Sequence, residues 1–122
     1  MQILSLLLSF RGRINRSMFW LGHVLSVVLV LALVGLGYAI DAAIAGDKAP
    51  SLFAGVWVSA ALLLYVWMSL ALCIKRFHDH DSSAWWCLIL AIPAIGLLFF
   101  LIELGMFRGT KGGNRYGADP AG

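Results

Sequence analysis

Charge is scarce in this 122-residue sequence. Asp, Glu, Lys and Arg together make up 12% of it, against about 25% in an ordinary soluble domain. With 61% hydrophobic residues, the chain is too apolar to bury its surface in water, which excludes a soluble globular domain. Acidic residues are the rarest charged type, 6 against 9 Lys and Arg, for a net charge of +3. The basic residues sit in short clusters beside apolar runs, a distribution suited to anionic lipid headgroups. No basic stripe with interleaved aromatics is present, so nucleic acid is not an expected partner. Cysteine is limited to Cys73 and Cys87 with no CxxC, which reads as two small buried apolar residues rather than a disulfide. No cofactor motif appears. The start, Met1 to Leu8, has no positive n-region. The apolar run after Arg16 ends in Ala43-Ile44-Ala45 and exceeds the roughly 7–15 residues of a signal h-region. The expectation is an uncleaved membrane anchor.

What the chain does contain is three long apolar runs, residues 18–40, 52–74 and 85–107. Each holds 23 residues, about 34 Å of helix, against a hydrocarbon core of about 30 Å. Backbone in lipid must satisfy its own hydrogen bonds, so the runs predict helices. Trp20, Trp85 and Trp86 lie at run ends, where indoles favour the interface. Trp57, Tyr65 and Trp67 lie deeper and need polar partners inside a bundle. Gly35, Ala39 and Ala43, and likewise Gly55 and Ser59, recur every four residues as candidate packing faces. Residues 1–17 predict an interfacial helix and a basic turn, with Ile3, Leu4, Leu7 and Leu8 on one face. Residues 108–122 form a Gly-rich, irregular tail. The expected architecture is one all-α integral membrane domain, residues 1–122, with three transmembrane helices, the third kinked at Pro93.

Charge bears on that topology. Three spans put Arg11, Arg13, Arg16, Lys75 and Arg76 on one side and Lys48, Arg108, Lys111 and Arg115 on the other, five against four. A third segment that dips in at Pro93-Gly96 and returns makes the count eight against one. Twenty-three continuous apolar residues usually span, which favours three spans; re-entry is the alternative.

Polarity is concentrated in one island, Lys75-Arg76-Phe77-His78-Asp79-His80-Asp81-Ser82-Ser83-Ala84, closed by Trp85-Trp86. Imidazoles and carboxylates suit divalent metals, and His beside Asp suits acid–base work. Four consecutive side chains cannot readily face one ion, and HxxxH spacing is missing, so no metal or catalytic set is expected. Glu103 is the sole acidic residue inside a run and a candidate ion relay, although its place near Arg108 favours an ion-paired interfacial role. His23 reads as an interface residue beside Arg16 and Trp20. The tail, Gly109 to Pro120, offers Gly-rich backbone with Lys111 and Arg115 for a lipid phosphate, without Walker A spacing.

Three blocks carry a family resemblance. They are Phe10-Arg11-Gly12-Arg13 with Arg16 and Phe19-Trp20; Arg76-Phe77-His78-Asp79 with Ser83-Ala84-Trp85-Trp86, Ile92-Pro93 and Gly96; and Gly109-Thr110, Gly112, Asn114-Arg115-Tyr116-Gly117 with Asp119-Pro120. In order and spacing they cover nearly the whole chain, which resembles the domain of unknown function 805 family of small bacterial inner-membrane proteins. That family often has Thr-Gly or Thr-Asp where this chain has His80-Asp81, so these two lie outside the shared pattern. The resemblance implies a bacterial inner-membrane location and no assigned activity. The expected role is a non-enzymatic module binding lipid headgroups or a membrane partner. The expected contact residues are Arg11, Arg13, Arg16, Arg76, His78, Asp79, Trp85, Trp86, Asn114 and Arg115. The alternatives are a homo-oligomeric pore or transport subunit using Glu103 and, less favoured, a membrane enzyme using His78 and Asp79.

Overall fold

The computed structural model describes residues 2–48 and 50–121. Two long antiparallel helices form its frame, α2 (Arg16–Ala45) and α3 (Leu52–Asp79). At 1.5 Å per residue they measure about 45 and 42 Å, more than a bilayer core requires. Asn15 starts α2 by accepting the Met18 N–H at 2.9 Å. Gly46, at φ 60°, ends it. A turn, Gly46–Lys48, leads towards α3. Buried Asp41, late in α2, accepts both the backbone N–H and the hydroxyl of Ser51 and so fastens the α2–α3 connection. Only 28% of the most apolar stretch of either helix is buried. A soluble core helix would hide most of that surface; here lipid must cover it.

The close helix contacts differ from the expected stripes. Gly35 and Gly55 face open space. Gly22 packs on the Leu72 side chain and Gly37 on the Trp57 indole, and neither site has room for a Cβ. Trp57 fits there because its indole N–H donates to the Leu33 carbonyl at 2.7 Å. Trp67 donates to the Leu8 carbonyl at 3.1 Å.

The short helix α1 (Ile3–Leu8) lies against the C-terminal part of α3. Leu6 and Leu7 face the protein, while Ile3, Leu4 and Leu8 face outward. Leu7 therefore leaves the expected outer face, because α3 is packed against that side. The Lys75 ammonium bonds the Ser5 and Leu6 carbonyls at the end of this six-residue helix, where the Ser5 carbonyl also accepts the Ser9 N–H at 3.2 Å.

The third apolar run does not form a spanning helix. It descends as a 3₁₀ limb, Ala84–Ala91, reverses through Ile92-Pro93-Ala94, and returns through α4 (Ile95–Leu98) and a π-helical stretch, Phe99–Leu104. Three spans with a kink at Pro93 are thus corrected to two long helices and a hairpin. The reason is local. Pro93 has no N–H to continue a helix, Ala94 takes φ 64°, and Gly96 lies so close to the Leu90 backbone that a Cβ would have no room. Both ends of the hairpin therefore lie at the C-terminal end of α3. The packed core gathers there too: Leu6, Leu7, Ile14, Phe19, Leu72, Phe77 and Leu104 are all buried. Cys73 and Cys87 are free thiols.

Candidate functional site

The site is built where α3 stops. His80 caps the helix, and Asp81 follows at φ 57°. The Asp81 N–H donates to the His78 carbonyl at 3.0 Å and the Ser82 N–H to the Phe77 carbonyl at 2.8 Å, the paired bonds of a Schellman ending. Glycine suits that left-handed position best, which accounts for the Thr-Gly variant of the resembling family. Here Asp81 sits at 3.2 Å from Arg115.

The ending holds Asp79 inside the protein, and two arginines enclose it. Asp79 Oδ1 accepts from Arg13 Nε at 3.0 Å and pairs with Arg13 Nη2 at 2.8 Å. Asp79 Oδ2 accepts from Arg76 Nη1 at 2.6 Å. All three side chains are at most 5% exposed. Two guanidiniums share one carboxylate, so the buried cluster carries a net positive charge. Desolvation of that kind is tolerated only when the remaining donors are also bonded.

They are bonded to backbone carbonyls. Arg76 donates from Nε to Leu104 at 2.7 Å, from Nη1 to Ile14 at 3.0 Å and from Nη2 to Phe107 at 2.8 Å. Trp20 takes the Gly105 carbonyl at 3.0 Å and Arg16 the Met106 carbonyl at 2.9 Å. The four successive carbonyls that end the returning limb, residues 104–107, are thus all capped by side chains from α2 and α3. A helix end would otherwise leave them orphaned. Planar guanidinium, with five donors in a fork, meets this demand where lysine would not.

Arg13 does the same for the tail. It donates to the carbonyls of Thr110 at 2.7 Å, Gly112 at 2.7 Å and Gly117 at 3.1 Å. The Thr110 N–H returns to the Asp79 carbonyl at 2.7 Å. Gly109 lies against the Asp79 carboxylate, where a Cβ would collide. A tight turn closes between Asn114 and Gly117, whose backbones exchange bonds of 3.0 and 3.1 Å. It lays the Tyr116 ring on His78, centroids 3.9 Å apart and 7° from parallel. Asn114 Nδ2 donates to the His78 carbonyl at 2.9 Å, and His78 Nδ1 lies 3.0 Å from the Gly12 carbonyl. Asp119 bonds Arg108 at 3.1 Å. The Ala121 and Gly112 N–H groups, with Arg108, hold its carboxyl below the usual range.

These partners answer the metal reading. His78 turns to Gly12, Asp79 to the arginines, His80 back to the Arg76 carbonyl at 2.9 Å, and Asp81 to Arg115. Four consecutive side chains take four directions. Among the described residues no three His, Cys, Asp or Glu groups converge as a metal set.

Of the expected contact residues, Arg13, Arg76, His78, Asp79 and Asn114 come together in this clamp. Trp85 and Trp86 do not join it and face outward on the hairpin. Arg11, Arg16 and Arg115 remain exposed at the same end, with Arg108 and Lys111. Glu103 precedes the carbonyl that receives Arg76, which places it at the site's edge rather than mid-span. Buried His23 packs on Phe19 and Phe100. A polar cavity of about 160 Å³ opens beside the clamp, lined by Asn15, Arg16, Ser17, Arg76, Arg108 and Asp119 among others. Sequence reasoning missed Lys75 and Asp41 as fasteners. The hint for Asp41 was a carboxylate followed ten residues later by Ser51, a helix-cap residue.

The profile of the family described as "Protein of unknown function (DUF805)" matches residues 7–118. The chain belongs to the DUF805 family. Residues from each of the three sequence blocks meet in the clamp: Arg13, Arg76 with Asp79, and Thr110 with Gly112. The chain is similar to the inner membrane protein YhaI of Escherichia coli K12, 34% identical over 98% of this chain and 92% of the relative. It is 31% identical to inner membrane protein YhaH of the same strain, over 98% and 93%. A third relative, uncharacterized protein YiiR, is 29% identical over 98% and 90%. No solved structure matches. With its two apolar helices, this DUF805 chain is a bacterial inner-membrane protein of unassigned activity.

Proposed function

We propose that the protein is a non-enzymatic membrane module whose basic end binds anionic lipid headgroups. One observation carries the reading. The hairpin returns the tail to the end of α3, so every Lys and Arg except Lys48 belongs to one end of the molecule. Eight against one is the bias of a cytoplasmic face, where the leaflet is anionic. Arg13 and Arg76 build that end but have their donors engaged by protein. The exposed cations, Arg11, Arg16, Arg108, Lys111 and Arg115, present donors to phosphate, although Arg16, Arg108 and Arg115 also bond Met106, Asp119 and Asp81 respectively. The cavity between Arg16 and Arg108 offers a recess at headgroup level.

Native mass spectrometry of gently extracted protein tests this. Anionic lipid should co-purify with wild type and be lost from the triple variant Arg11→Ala/Arg16→Ala/Arg108→Ala. Equal retention by both overturns the proposal. The pore reading through Glu103 and the enzyme reading through His78 and Asp79 gain no support from the geometry. Glu103 sits at the edge, and the His78–Asp79 pair is tied into the fold.

A further inference from the structure

The molecule is unevenly distributed along its long axis. Beyond α2, α3 and the short turn Gly46–Lys48 that joins them, the remaining elements lie at one end: α1, both limbs of the hairpin, and the tail. The descending limb has eight residues of 3₁₀ helix, about 16 Å at 2.0 Å per residue. The returning limb, Ile95–Leu104, is at most about 15 Å long at the 1.5 Å per residue of an α-helix, its π-helical part being shorter. Half of a hydrocarbon core is also about 15 Å. Trp85, Leu88, Ile95, Leu97 and Leu98 are exposed along the limbs. No charge occurs from residue 82 to 102, so acyl chains must cover this surface. A hairpin of this length matches the depth of one leaflet.

With its limbs laid along α3, one leaflet would be crossed four times, by α2, α3 and two limbs, and the other twice. With a helix roughly 10 Å across, each crossing takes roughly 80 Å², so one leaflet accommodates roughly 160 Å² more protein. The outward faces of α1, with Ile3, Leu4 and Leu8, add to the same side. The asymmetry is fixed rather than incidental. The 104–107 carbonyls are locked to Arg76, Trp20 and Arg16, and Gly96 allows the limbs to close.

We infer that the protein is a one-leaflet wedge that partitions to lipid surfaces convex on its basic side. A surface that bends away at the basic end spreads headgroups there, and the wide end of the wedge fills the gap. The ligand is lipid packing, not headgroup charge, so the inference stands apart from the headgroup proposal. The test uses the full chain with a C-terminal fluorophore, reconstituted at low protein-to-lipid ratio into vesicles of neutral phosphatidylcholine. Small sonicated vesicles and large extruded ones are compared for protein per lipid. Orientation is read by a membrane-impermeant quencher. Small vesicles should hold roughly twofold or more protein per lipid, with the fluorophore mostly outside and quenched. Equal density in both sizes, or enrichment without an orientation bias, overturns the inference. Because no anionic lipid is present, neither outcome depends on headgroup binding.

Discussion

Replacing Asp79 by Asn tests whether the clamp, rather than the apolar hairpin, holds the tail. The substitution keeps the shape of the side chain and removes its charge. Asp79 is 4% exposed and bridges Arg13 and Arg76, so both guanidiniums would stay buried without a counter-ion. Removing one partner of a buried ion pair costs about 3–5 kcal/mol. The cheapest relief is local. Arg13 gives up the Thr110, Gly112 and Gly117 carbonyls, turns to water, and releases the tail. At 1.4 kcal/mol per decade, about 3 kcal/mol raises the open population by a hundredfold or more. Trypsin reports it through cleavage after Lys111 and Arg115, since slow proteolysis follows the open fraction. Wild type and Asp79→Asn in the same bilayer nanodiscs should differ accordingly. A rate change below about threefold would refute the reasoning, because a detached and an attached tail would then be equally accessible.

Further outcomes follow from the same geometry. Reporters fused separately to the N- and C-termini should be active on the same side of the inner membrane; opposite sides would mean that residues 85–107 span. Gly96→Ala places a methyl against the Leu90 backbone and should force the limbs apart at a cost of about 1–3 kcal/mol. A lower unfolding midpoint in mixed micelles, with faster alkylation of Cys87, would confirm it. Acid should loosen the tail through Asp119. Its folded value is depressed below 3.8, so its contribution is complete above pH 3.8 and is lost as pH falls through the folded value. A fluorophore on the tail should therefore show no release between pH 5 and 8 and release only in stronger acid.

Much of the fold was legible. Composition alone required lipid, and run length located the starts of both long helices to within two residues but stopped five residues short of each end. The island was legible as the place where polarity gathers. Its logic was not. Arg13 and Arg76 read as ligands for phosphate because exposed arginine clusters usually are. In the structure they bond the Asp79 carboxylate and the carbonyls of residues 14, 104, 107, 110, 112 and 117, most of which no spacing rule connects to positions 13 and 76. The packing glycines were misread for a similar reason. Gly35 recurs in a pattern, but Gly37 is the one that meets an indole. Which face a glycine presents depends on how the two helices are rotated against each other.

The third apolar run marks the boundary between the two sources of information. Hydropathy measures how willingly residues 85–107 enter lipid, and that is a property of the sequence by itself. Whether they leave on the far side or return depends on what rewards each end. The return is favoured because four terminal carbonyls find Arg76, Trp20 and Arg16 waiting at the end of α3. Hydropathy is a property of a segment and is carried by its composition. The satisfaction of a helix end by side chains from elsewhere is a property of the tertiary structure, and here it holds the returning limb against the end of α3.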